Sequence, residues 1–233
     1  MSIIVLIPAA GSGTRMGASI NKQYLQLAER PILAHTLELF NNHPLVDHIF
    51  VISPSQEIDF CWTEVVKRFN FGKVRDVLAG GAERQDSVRN GLERCGGQSG
   101  DLVVIHDGVR PFFPPWLLET VLTTARREGA CLVAVPAKDT IKEVRDGRVT
   151  GTPERQLLWQ AQTPQAFRYE LIFDAHQRAL QQGFRGTDDT SLVERQGGTV
   201  AVVKGSYRNI KITTPEDLLL AEAFYRNPEE SGR

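Results

Sequence analysis

Net charge is almost absent from this chain: 27 Lys and Arg face 28 Asp and Glu, leaving −1 over 233 residues. No basic field invites a nucleic acid, and no acidic tail marks a solvating segment. Cysteine is scarce. Cys61, Cys95 and Cys131 are far apart and odd in number, without metal or redox spacing, so reduced thiols in a cytoplasmic compartment are expected. Long apolar runs are missing too. Residues 3–10 are too short to span a bilayer and lack the basic flank of a secretory leader. Repeats, low-complexity segments and any Ser-His-Asp or Cys-His pattern for nucleophilic catalysis are also lacking. These absences leave a soluble globular protein with no membrane or nucleic-acid partner as the expectation.

The first 22 residues are the most informative. The β-branched run Ile3–Ile7 stops at Pro8-Ala9-Ala10-Gly11-Ser12-Gly13-Thr14-Arg15-Met16-Gly17, and Lys22 follows. The glycines are spaced G-x-G-x-x-x-G, which is not a dinucleotide fingerprint, and no glycine precedes Lys22 as a P-loop requires. Glycines alone would serve any strand-to-helix turn. With Arg15 and Lys22 added, the loop reads as a polyphosphate site of backbone amides and two cations.

Apolar strands alternate with amphipathic helices along the chain. Strands are expected over 3–7, 46–52, 74–78, 102–106, 131–135, 199–204 and 209–213. Helices are expected over 31–42, 58–69, 85–94, 115–128 and 169–182, then from Thr187-Asp188-Asp189-Thr190 by N-cap chemistry, and from Thr214-Pro215-Glu216-Asp217 to the end. This rhythm predicts an α/β fold, a Rossmann-like open and mostly parallel sheet with helices on both faces, binding ligands beyond the carboxyl ends of its strands. Residues 137–165 break it. They read as a protruding β-hairpin arm turning at Asp146-Gly147, poorly stable alone, for which a second copy of the chain is the simplest partner. The expected division is therefore an α/β domain over 1–136 and 166–226, a dimerising arm over 137–165 and a flexible tail over 227–233.

Further constellations sit at strand ends. Asp107, in His106-Asp107-Gly108-Val109-Arg110-Pro111, is placed to hold Mg²⁺ or another divalent cation beside a phosphate, or else to cap a turn. His106 reads as a packed or orienting residue, and Arg110 as a partner of Asp107 or a brace for the loop. Gly80-Gly81-Ala82-Glu83-Arg84-Gln85-Asp86-Ser87 offers backbone donors, with Arg84 and Ser87 in reach of a nucleotide. Lys211, Thr140 and Arg155 would be ordinary surface residues on their own pattern.

Taken together, the glycine loop with Lys22-Gln23-Tyr24, Gly80-Gly81-x-x-Arg84-x-x-Ser87, His106-Asp107-x-x-Arg110-Pro111, Lys138-Asp139-Thr140-Ile141-Lys142, Leu158-Trp159-x-x-Gln162-Thr163-Pro164-Gln165, Thr187-Asp188-Asp189 and Asn209-Ile210-Lys211-Ile212-Thr213 resemble the 2-C-methyl-D-erythritol 4-phosphate cytidylyltransferase family, from about residue 3 to 225. The resemblance implies CMP transfer from CTP to the polyol phosphate, giving 4-CDP-2-C-methyl-D-erythritol and pyrophosphate in non-mevalonate isoprenoid synthesis. It implies Arg15, Lys22, Arg155 and Lys211 as catalytic residues, and Pro8, Ala9, Ala10, Gly11, Gly13, Gly81, Ala82, Arg84, Ser87 and Gly108 around the nucleotide. Thr140, Arg110, Arg155 and Lys211 would receive the acceptor, and Asp107 the metal. The arm would form a homodimer and lend Arg155 to the neighbouring site. Arg208 stands where some relatives carry an acid, which leaves Asp107 as the single carboxylate for the metal. A ribitol 5-phosphate-type cytidylyltransferase and a non-catalytic nucleotide-binding subunit are the alternatives.

Overall fold

Residues 3–7 divide alternately between two cores: Ile3, Val5 and Ile7 enter one hydrophobic cluster, Ile4 and Leu6 another. Period-2 alternation with both faces buried is the mark of a central strand covered by helices on each side. The computed structural model describes residues 1–11 and 21–228. Its strands are β1 (Ile3–Pro8), β2 (Gln26–Leu27), β3 (Arg30–Pro31), β4 (His48–Ser53), β5 (Val74–Ala79), β6 (Leu102–Ile105), β7 (Ala130–Pro136), β8 (Glu143–Arg145), β9 (Arg148–Gly151), β10 (Trp159–Arg168) and β11 (Ala201–Lys204). Its helices are α1 (Ile32–Asn41), α2 (Ile58–Phe60), α3 (Arg84–Cys95), α4 (Leu118–Glu128), α5 (Tyr169–Gln181), α6 (Asp189–Arg195) and α7 (Pro215–Arg226). A wider, π-wound stretch Cys61–Lys67 continues α2.

Seven strands form one sheet in the order β11-β7-β10-β6-β1-β4-β5. Only β10 runs against its neighbours, pairing antiparallel with both β6 and β7; the other pairs are parallel. Leu33 and Leu37 of α1, Val65, and Val121 and Leu122 of α4 pack on one face. Val88 and Leu92 of α3, Ile172 of α5 and Leu192 of α6 pack on the other. Leu6 is fully buried, so its truncation to Ala costs about 2–5 kcal/mol. A small third cluster of Leu27, Ile32, Val109, Ile212 and Ala221 seats α7. That helix opens as its sequence predicts, with Thr214 and Asp217 capping each other's backbone N–H and Pro215 in the first turn.

Two stretches depart from expectation. Residues 209–213 are not a strand. Ile210 N turns back to Arg208 O at 2.7 Å, and Ile212 N donates to Val109 O at 3.0 Å. The β-rich sequence lies against the loop after β6, and Ile212 is buried for its side chain rather than for a ladder. The return of the arm is the second. Residues 159–165 lie inside the main sheet as the first part of β10, with Trp159 opposite Pro136. The part outside that sheet is 137–158, closed at its base by Ala137 N to Leu158 O at 2.9 Å. Its β8–β9 hairpin turns through Asp146 and Gly147 at φ +48° and +74°, the two left-handed positions of a tight hairpin turn. Val144 and Val149 face each other across it, both more than half exposed.

Candidate active site

The chain runs from β1 outward through β4 and β5, then returns to lay β6 on the other side of β1. That reversal opens a crevice between the loops after β1 and β6, where open α/β sheets bind ligands. A cleft of about 400 Å³ occupies it, lined by Pro8–Gly11, Lys22, Gln23, Gly81–Arg84, Ser87, Asp107, Val109 and Lys211. Lys22 reaches Gly11: a Cβ added there would stand 4.0 Å from its Nζ. Ser87 is 2% exposed, and its hydroxyl donates to Glu83 O at 3.0 Å while accepting from Gly81 N at 3.1 Å. It therefore braces the Gly80–Glu83 loop. A Cβ at Gly81 would collide with Asp86, so a side chain is excluded where that loop borders the cleft.

Asp107 is the electrostatic centre. Arg84 Nε donates to its Oδ1 at 3.2 Å; Arg110 Nε and Lys211 Nζ donate to Oδ2 at 3.2 and 3.0 Å. Burial pushes the carboxyl pKa up, but Arg84, Lys211 and Arg110 outweigh it and hold the group well below the usual carboxylate range. Behind it, Asp107 N donates to Thr163 Oγ1 at 3.0 Å, and Thr163 Oγ1 lies 3.2 Å from His106 Nδ1. His106 Nε2 reaches Arg110 O at 3.0 Å, which assigns Nε2 as the donor and lets Nδ1 accept from the threonine hydroxyl. Burial lowers the His106 pKa to about 4, so it stays neutral and orients the loop. Arg110 performs both roles read for it, since its Nη1 also donates to Asn209 O at 2.7 Å.

A second cleft of about 240 Å³ adjoins the first and shares Arg84, Asp107 and Lys211 with it. Its far wall carries Gln162, Thr163, Gln165, Thr187 and Asp188. Asp188 caps α6, accepting from Ser191 N at 2.9 Å. The next residue, Asp189, turns inward to Arg84 Nη1 at 2.7 Å. In the sequence Asp189 belongs to the N-cap pattern and to the Thr187-Asp188-Asp189 motif of the resemblance, neither of which points to Arg84.

The sequence matches the family described as IspD: 2-C-methyl-D-erythritol 4-phosphate cytidylyltransferase over residues 3–227. The chain belongs to this family. It is 62% identical over 228 residues to the 2-C-methyl-D-erythritol 4-phosphate cytidylyltransferase of Syntrophotalea carbinolica, covering 98% of each chain. It is 59% identical to that of Geobacter metallireducens, covering 97% of this chain and 98% of the relative. Among solved structures, the fold resembles the Thermus thermophilus enzyme of that name, with TM-score 0.80 and 35% identity over 97% of this chain and 100% of the other. It likewise resembles a 4-diphosphocytidyl-2C-methyl-D-erythritol synthase from Anaerococcus prevotii, with TM-score 0.84 and 33% identity over 97% and 96%.

Of the residues expected from the family's pattern, Pro8, Ala9, Ala10, Gly11, Lys22, Gly81, Ala82, Arg84, Ser87, Asp107 and Lys211 meet at the first cleft. Gly108 stands just behind it, its N bonded to Pro8 O at 3.1 Å. Arg110 lines the second. Gly13 and Arg15 lie outside the described residues, as do 229–233 of the tail. Thr140 and Arg155 line neither cleft; both are exposed on the arm, where Arg155 Nη1 donates to Lys138 O at 3.0 Å. Among the described residues no cluster of three or more His, Cys, Asp or Glu could cage a metal. Asp107 nonetheless fits one metal bond: an ionised carboxylate has about four lone-pair sites, and three are taken, two of them on Oδ2. Arg208, opposite in charge to a second metal carboxylate, bonds the end of α7 through Phe224 O at 2.9 Å. Among the described residues, no helix is long and apolar enough to cross a membrane.

Proposed function

We propose that this protein transfers CMP from CTP to 2-C-methyl-D-erythritol 4-phosphate, releasing pyrophosphate. Family membership along 3–227, joined to a strand-end cleft in which Lys22 lines the wall and Arg84 and Lys211 pair with one buried carboxylate, carries this reading. An acceptor phosphate oxygen attacks the α-phosphorus of CTP, and the bond to the β-phosphate oxygen breaks. The nucleophile is already an anion, so no general base is needed; a neutral, inward-held His106 and the want of a nucleophilic constellation both suit this. Catalysis is then positioning and charge stabilisation.

The nucleotide occupies the first cleft between Pro8–Gly11 and Gly81–Ser87, its phosphates under Lys22, and the family resemblance gives Arg15 the same charge-stabilising role. The acceptor phosphate occupies the second, near Arg110 and Lys211. Asp107 would hold one Mg²⁺ ion, which would supply neutralisation of phosphate charge. Thr140 and Arg155 serve the site of a second copy of the chain, joined as a homodimer through the exposed Val144–Val149 hairpin. The cytoplasm, where free Cys61, Cys95 and Cys131 stay reduced, is the proposed location.

Pyrophosphate release with CTP, Mg²⁺ and either methylerythritol 4-phosphate or ribitol 5-phosphate tests the reading. Turnover with the first acceptor is expected. Preference for ribitol phosphate would move the assignment to a pentitol-phosphate enzyme, and no release with either would leave a binding protein.

A further inference from the structure

We infer that Asp189 and His176 are positioning residues that anchor the Arg84 guanidinium between the two clefts, an inference that rests on the cytidylyl-transfer reading. Arg84 is one of three side chains that line both clefts. Its guanidinium is held twice, by Asp107 Oδ1 at 3.2 Å and, more closely, by Asp189 Oδ2 at 2.7 Å. The two holders differ in what they face. Asp107 lines both clefts, so incoming phosphates compete with it for the cation. Asp189 lines neither, and its side chain is 1% exposed.

Asp189 is itself fixed from two further elements. His176 Nε2, on α5, donates to Oδ1 at 3.2 Å. Gln165 Oε1, on β10, accepts from the Asp189 backbone N at 3.2 Å, and Gln165 Nε2 holds Asp188 Oδ2 at 2.8 Å. The His176 side chain is also 1% exposed, and its Nδ1 is buried without a hydrogen-bond partner. The ring is thus seated for its Nε2 contact alone. A carboxylate buried between a sheet and its helices is costly unless paired, and an apolar residue of similar size would fill the space with less penalty. Here the charge serves as a rear anchor. With Nε–H and one Nη1–H engaged, three of the five guanidinium N–H donors remain for phosphate oxygens. When those oxygens draw Arg84 away from Asp107, Asp189 keeps the guanidinium from following them.

Steady-state pyrophosphate release and calorimetric binding of inorganic pyrophosphate, on the full chain, test the anchor. Asp189→Asn and His176→Leu are expected to lower kcat about ten- to a hundredfold, the scale of a small misplacement of a charged group. Both are expected to weaken pyrophosphate binding. His176→Gln, whose amide N–H can stand where Nε2 stood, is expected to recover most of both. Wild-type kcat in folded Asp189→Asn, or equal losses in His176→Gln and His176→Leu, would overturn the anchor. If Asp189→Asn does not fold, the His176 pair decides. If the wild type itself turns nothing over, the cytidylyl reading fails while pyrophosphate binding still judges the anchor.

Discussion

The cleft at Asp107 and the arm at 137–158 carry their polar residues in opposite ways. In the cleft, charges are sunk in the fold and bonded to one another: Asp107 holds three cations, and Asp189 is clasped between Arg84 and His176. On the arm, Thr140 and Arg155 are open to solvent, and the hairpin leaves Val144 and Val149 uncovered. A preorganised cluster suits charge stabilisation, because its dipoles and cations need not reorganise during reaction. An exposed hairpin suits a surface completed by another chain. The cleft therefore couples activity to stability, and the arm separates them.

The sharpest way to break this contrast is at its charged centre. Asp107→Asn is expected to lose about a hundredfold or more in kcat. It should also cost about 3–5 kcal/mol of stability, because three neighbouring cations lose their counter-ion. Pyrophosphate release and urea unfolding on one preparation measure both; a stable, fully active variant would remove the cleft from catalysis.

Next is the arm. Arg155→Ala should lose activity while its unfolding free energy stays within about 0.5 kcal/mol of wild type, as for other exposed positions. Mixing that chain with an inactive Lys22→Ala chain should restore about a quarter of wild-type activity, since half of randomly formed dimers each hold one intact site. An inert mixture whose dimers demonstrably exchange would confine Arg155 to its own subunit.

A smaller effect follows from pH. Burial holds the His106 pKa down at about 4, against 6.5 unperturbed. The unfolded chain takes up that proton as pH falls past 6.5, and the folded chain only near pH 4. The stabilisation is complete above 6.5 and drains between the two values, by about 3 kcal/mol. Burial shifts His35 and His43 in the same direction. The carboxyls of Asp107 and Asp189, lowered in pKa by their basic partners, add a separate loss only below about pH 4. Urea midpoints at pH 7, 5.5 and 4.5 check this, and His106→Asn should flatten the slope.

The smallest effect is at the hairpin turn. Gly147→Ala, at φ +74°, should fray the tip by about 1 kcal/mol locally and leave global unfolding unchanged. Hydrogen exchange at Val144 and Val149 reads it.

Much of the fold was legible because each local signal agreed with its surroundings. The alternating apolar runs, the Asp146-Gly147 turn and the Thr214-Pro215 helix start all appear as read. The place of Asp107 in the cleft was legible because it follows the carboxyl end of a strand, where open α/β sheets bind ligands. Residues 209–213 misled because Ile210 and Ile212 carry strand propensity without a strand to pair with. The pairing of Asp189 stayed hidden although its motif was read, because Asp188 accounts for the local N-cap pattern and the inward turn of Asp189 depends on Arg84, 105 positions away. Thr140 and Arg155 could be singled out only by resemblance, because both are exposed and nothing local distinguishes them from other surface residues.

Within the seven-stranded sheet, the one strand that runs against its neighbours also bears on how that sheet can assemble. The β7–β10 ladder begins at Pro136 and Trp159, which the arm joins, while β10 meets β6 by pairing Gln165 with Ile105 across far more chain. The entropic cost of closing a loop grows with its length, so β10 closes on β7 at less cost than on β6. In loop-closure terms the arm is the turn through which β10 reaches β7.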